Sequence, residues 1–101
     1  MNYTPSTQVI EEIKSPNRTL VVFSANWCGP CKTMNPMLEK AIEEGHRVFK
    51  INVDEDADFS SEHGIKAIPA SFLYEEGNQL KRQPGKFDSY ADLVKFITAK
   101  F

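Results

Sequence analysis

Apolar residues recur along this chain in two rhythms. Leu20-Val21-Val22-Phe23 is a continuous apolar run rich in β-branched residues. It predicts a central strand from Leu20 to about Ala25, covered by helices on both faces. From Val48 to Val53 the pattern alternates, with Phe49, Ile51 and Val53 set against Lys50 and Asn52. That is a second strand. Between the two, Met34, Met37, Leu38, Ala41 and Ile42 fall at helical spacing and predict a helix from Cys31 to about Glu44, stopped by Gly45. Pro36 lies inside it, and its missing N–H is expected to kink it near Lys32 or Thr33. Strand, helix and strand make a right-handed parallel βαβ unit.

The remaining elements follow from similar signals. Residues 1–3 read as a short edge strand. Thr4 and Pro5 read as N-cap and first residue of a helix whose apolar face is Val9, Ile10 and Ile13. Asp56 can start a short helix that ends at His63-Gly64. Ala70 to Tyr74 is a strand, Glu75-Glu76-Gly77-Asn78 a hairpin turn, and Gln79 to Gln83 the returning strand, closed by Pro84-Gly85. Ser89-Tyr90-Ala91-Asp92 has the form of a capping box, with Asp in place of Glu or Gln. It opens a helix with Tyr90, Leu93, Val94, Ile97 and Phe101 on its apolar face. The order is α/β: a mixed sheet with helices on both sides, parallel in its first half and antiparallel in its second.

Composition narrows the function without naming it. A chain of 101 residues makes one domain, residues 1–101, with an adequate core. A net charge of −2 gives no argument for nucleic acid or an anionic membrane surface. No run approaches transmembrane length, and Met1 to Ser6 lacks the basic start and apolar stretch of a signal peptide. The expectation is a cytoplasmic monomer. The chain has two cysteines, both in one CxxC, so it is no disulfide-stapled scaffold.

The chemistry concentrates in Trp27-Cys28-Gly29-Pro30-Cys31-Lys32. Cys28 falls where a strand ends and a helix begins. Pro30 suits the first helical turn, and Cys31 returns to the same side of the helix three residues on. Unpaired N–H groups at the helix start stabilise a thiolate at Cys28. Cys28 is therefore expected to attack and Cys31 to resolve. A zinc site would need His46 and His63 beside the cysteines, but their separation is far beyond that of a finger, so no metal is expected. Both histidines read as surface residues at helix ends. Haem attachment would need His where Lys32 stands. Asp54, Glu55, Asp56 and Asp58 lack the Gly and terminal Glu of a calcium loop and read as a solvated acidic stretch.

The hexapeptide, placed after an apolar strand, closely resembles the signature of the thioredoxin family. The resemblance runs over nearly the whole chain and includes Pro36 and Lys50-Ile51-Asn52-Val53-Asp54. It implies the thioredoxin fold, with four to five strands, and a dithiol reductant of protein disulfides that needs no cofactor and is recycled by a thioredoxin reductase. A fall in the Cys28 pKa from about 8.5 to about 7, the known thioredoxin value, raises the thiolate fraction at pH 7 about 16-fold. The lower basicity costs about 5-fold in nucleophilicity, so the gain wins by about 3. Gly-Ile-Lys-Ala-Ile-Pro looks like the family segment that faces the CxxC with a cis proline, which implies a cis Ile68–Pro69 bond, although X–Pro bonds in general favour trans. By the same resemblance Ala67, Ile68 and Pro69 contact substrate, with the Ile68 backbone bonding the substrate peptide, and Gly85 lines the groove. Trp27, Gly29, Pro30 and Lys32 support the cysteines.

The chain also departs from the family. Thioredoxins usually carry a buried Asp before the Phe of the central strand, and here Val22 precedes Phe23. Lys50 matches the lysine that accompanies this Asp. Asn26 and Ala70-Ser71 depart as well, the latter beside the substrate groove. A binding subunit or adaptor is the competing function, because fold alone does not fix activity.

Overall fold

Strand β1 (Thr19–Ser24) is buried at every position, as its unbroken apolar run requires. It pairs in parallel with β2 (Arg47–Asn52) and antiparallel with β3 (Ala70–Glu75); β4 (Asn78–Pro84) adds antiparallel to β3. The order across the sheet is β2-β1-β3-β4. The computed structural model describes residues 2–100. Its helices are α1 (Ser6–Glu12), α2 (Gly29–Glu43), α3 (Ala57–Glu62) and α4 (Tyr90–Thr98). This is the thioredoxin fold, with four strands among the described residues.

Alternation along β1 divides the core into two layers. Leu20 and Val22 face Met34, Leu38 and Ala41 of α2 and Leu93 and Ile97 of α4. Val21 and Phe23 face Val9 of α1 and, on α3, the half-buried Phe59. Each fully buried Val, Leu or Phe contributes about 1.5–3 kcal/mol, so neither layer of helices is dispensable. One row across the α2 side is polar at its flanks: Lys50 pairs with Val22, and Val22 with Ser71. All three are buried.

Four expectations are corrected. Residues 2 and 3 form no strand; beside them Thr4 N–H makes one backbone bond, 2.8 Å, to the Lys50 carbonyl at the sheet edge. Met1 lies outside the described residues, as does Phe101, which the sequence pattern assigns to the apolar face of the last helix. Thr4 does not cap α1. Pro5 is the N-cap, and Ser6 instead bonds the Asp56 carboxylate through its hydroxyl (2.6 Å) and its N–H (3.4 Å). Ile42 and Ile10 are exposed rather than core, each at the margin of its helix's apolar face. His63 is no surface residue: it packs among Phe23, Phe59 and Phe72. Pro36 lies inside α2, where the helical spacing put it.

Candidate active site

Cys28 is the N-cap of α2, in extended backbone, and its sulfur accepts the Cys31 N–H at 3.3 Å. Pro30 occupies the first turn, where its missing N–H leaves no helical bond unmade. Cys28 and Cys31 are joined as a disulfide, with Cα atoms 5.3 Å apart. The geometry follows from the two-residue spacer: one helical turn returns Cys31 to the Cys28 side. Both cysteines are nearly buried, and pack with Ala25 against Val53 and Ile68.

Around this pair the surface opens into a groove of about 610 Å³. Trp27, Cys28, Gly29 and Pro30 form one side. Ala57, Ser60 and Ser61 of α3, with residues 65–68, form the other. Trp27 is 67% exposed, yet it is oriented: its indole N–H donates to Asp54 at 2.8 Å. The Ile68–Pro69 peptide bond is cis, and the Ile68 carbonyl lies 3.8 Å from the Cys28 sulfur. In the reduced state a Cys28 thiol could donate across that gap.

The remaining predicted positions are also placed. Ala67 lines the groove. Gly85 does not line it, but its N–H donates to the Pro69 carbonyl at 2.8 Å, with φ +80°. That left-handed backbone disfavours any side chain, so the glycine serves the turn that meets the proline segment. Lys32 is exposed and its N–H bonds the Cys28 carbonyl. Among the described residues no cluster of three His, Cys, Asp or Glu could hold a metal.

Asp54 escapes the sequence reading, and Lys50, matched there to the family lysine, gains its setting only in the fold. In the sequence Asp54 reads as part of a solvated acidic stretch, whereas in the fold it accepts the indole N–H of Trp27, 27 residues away. Lys50 is buried, donates to Asn35 Oδ1 at 3.2 Å and lies 4.4 Å from the Tyr3 ring centroid. Desolvation pulls its ammonium below the usual lysine range, with Glu39 opposing. Asn35 lies four residues beyond Cys31, one turn further along α2.

A buried, bridged CxxC at a helix N-terminus, open to a groove, defines a dithiol–disulfide oxidoreductase. Comparison with known proteins agrees. The model of the family described as Thioredoxin matches residues 4–99. Thioredoxin of Rickettsia felis is 38% identical over 81 residues, 77% of each chain. Thioredoxin of Pseudomonas aeruginosa is 30% identical over 102 residues, covering 98% of this chain and 94% of that one. The oxidized form of mitochondrial thioredoxin 3 from Saccharomyces cerevisiae superposes with a TM-score of 0.80 at 32% identity, covering 94% of this chain and 90% of that one. The chain belongs to the thioredoxin family and is a protein-disulfide oxidoreductase. Membership brings with it, in general terms, disulfide substrates and a reductase partner. Among the described residues no helix is long and apolar enough to cross a membrane.

Proposed function

We propose that the chain works as a cytoplasmic monomer and single domain that reduces protein disulfides, with Cys28 as nucleophile and Cys31 as resolving thiol. The observation that carries this assignment is the Cys31 N–H directed at the Cys28 sulfur at the start of α2. A helix N-terminus favours negative charge there, and the thiolate is the attacking form. Cys31, one turn inside and more enclosed, lacks that advantage.

The Cys28 thiolate attacks one sulfur of the substrate disulfide; that S–S bond breaks, and the leaving thiolate takes up a proton. Cys31 gives up its proton and attacks Cys28 in the mixed disulfide, releasing the second substrate thiol. Two electrons and two protons pass to the substrate, and a thioredoxin reductase returns them. Ala67, Ile68 and Pro69 hold the substrate peptide by its backbone, as a short added strand. Gly85 supports Pro69, Trp27 covers the entrance, and Gly29, Pro30 and Lys32 shape the turn. No dissociable cofactor takes part.

The test is insulin reduction by dithiothreitol. The wild-type chain should accelerate precipitation of the reduced insulin. A Cys28→Ser, Cys31→Ser chain should not, and equal rates for the two would defeat the proposal. The adaptor reading is addressed by the same pair: full support of the cellular role by the double-serine chain would favour it.

A further inference from the structure

His63 is half-buried at the C-cap of α3, between the two segments that make one wall of the groove. Before it stand Ser60 and Ser61; after it come residues 65–68. The helix closes on Gly64 at φ +66°, with Gly64 N–H bonded to the Ser61 carbonyl and Ile65 N–H to the Ser60 carbonyl. Only a residue tolerant of left-handed backbone closes a helix this way, and the chain leaves it aimed into the groove wall.

The imidazole is held at both nitrogens. Nδ1 lies 2.8 Å from the Phe59 carbonyl oxygen and Nε2 lies 2.7 Å from the Tyr74 hydroxyl. A carbonyl only accepts, so the network assigns the hydrogen to Nδ1. The Nε2 of the neutral ring then accepts the Tyr74 O–H, and every polar atom of the chain Phe59–His63–Tyr74 is satisfied. Ring contacts with Phe59 (4.4 Å between centroids), Phe23 (5.1 Å) and Phe72 (5.2 Å) fix the plane. The side chain thus ties the end of α3 to β3 and β1.

We propose that His63 is a positioning residue for the protein substrate: its neutral Nδ1–H form holds the groove wall of Ser60, Ser61 and residues 65–68 in place, and a second proton on the ring releases it. The inference rests on the reading of the groove given above. Its physical basis is the hydrogen count. With Nε2 protonated, two donors point at each other across 2.7 Å, and the Tyr74 O–H must turn away from its partner among aromatic rings.

Among the described residues no carboxylate pairs with the ring. β1 contributes Phe23, and α1 brings Val9 and Ile13 to the same layer. β3 contributes Phe72 and Tyr74, whose phenol is pushed up to about 12 by burial and so stays protonated throughout the range in which imidazoles titrate. β4 contributes Arg82, whose guanidinium lies 4.8 Å from the Phe72 centroid and acts on Tyr74. The charged residues nearest in sequence, Asp58, Glu62 and Lys66, are exposed.

The test measures KM for insulin between pH 5.5 and 7.5 in wild-type, His63→Phe and Tyr74→Phe chains. The rate with a small aromatic disulfide, which does not need the wall, normalises for thiol ionisation. At pH 7.5 both variants should show KM raised roughly threefold to tenfold, the weight of one or two lost hydrogen bonds, with kcat held. The ratio of variant to wild type should fall towards one at pH 5.5, as the wild type loses the same tie. Tyr74→Phe removes a single oxygen and keeps the ring, so it serves if His63→Phe does not fold. In parallel, amide resonances of residues 65–68 should titrate with the His63 ring in the wild type and not in His63→Phe. A ratio that stays flat with pH, or amides indifferent to the ring, overturns the role of His63. Failure of the wild type itself to reduce insulin defeats the reading of the groove instead, and the amide titration still decides the inference.

Discussion

Val22 on β1 stands directly opposite Ser71 on β3, and the Ser71 hydroxyl is fully buried with no hydrogen-bond partner among the described residues. On its other flank Val22 faces Lys50. The row therefore holds a buried cation and an orphan hydroxyl, with an aliphatic residue between them where thioredoxins usually place a carboxylate.

That row makes opposite forecasts for its two neighbours. Ser71→Ala removes an unpaired polar atom and should raise stability by about 1 kcal/mol, since a buried unsatisfied group costs about 1–3. Val22→Asp buries a carboxylate and should lower stability by roughly 2–4 kcal/mol at neutral pH, less whatever Lys50 recovers by pairing with it. Urea unfolding of the three chains decides both. A less stable Ser71→Ala, or an unchanged Val22→Asp, would show that the row is not under the stress described.

Tyr74 sets the alkaline behaviour. Its phenol is pushed up to about 12 by burial, with Arg82 acting the other way. In the unfolded chain a phenol ionises near pH 10. Between about 10 and 12 the folded state binds the extra proton, so this contribution is complete below pH 10 and is lost as pH rises through 12. Lys50 works in the opposite sense, because its lowered folded value makes stability rise with pH just below the usual lysine range. Comparison of wild type with Tyr74→Phe cancels Lys50, and also Tyr90, whose phenol is held up to about 12 mainly by its bond to Glu44. The unfolding free energy of the wild type should drop relative to Tyr74→Phe between pH 10 and 11.5. A constant difference across that interval would refute the assignment.

Much of this was legible in the residues. The apolar run at 20–23, the helical spacing from Met34 and the alternation from Val48 each report a local periodicity, and local periodicity survives folding. The CxxC was legible for the same reason: its geometry is set within one helical turn. What escaped was tertiary. Ser6 takes its cap from Asp56, 50 residues away, and no local pattern announces that. His63 looked like an ordinary helix-end histidine because its partners Phe23, Phe72 and Tyr74 reach it only once the sheet has formed. Asp54 reads as acidic surface until Trp27 arrives beside it.

Trapping on a protein disulfide shows most directly which cysteine attacks. Each single-serine chain is reduced, mixed with oxidised insulin at pH 7, and examined by non-reducing mass spectrometry. Cys31→Ser keeps the thiol at the helix N-cap and removes the one that resolves, so it should accumulate a mixed disulfide through Cys28. Cys28→Ser keeps only the enclosed thiol and should accumulate little or none. Accumulation through Cys31 in the Cys28→Ser chain, with none in Cys31→Ser, would contradict the account.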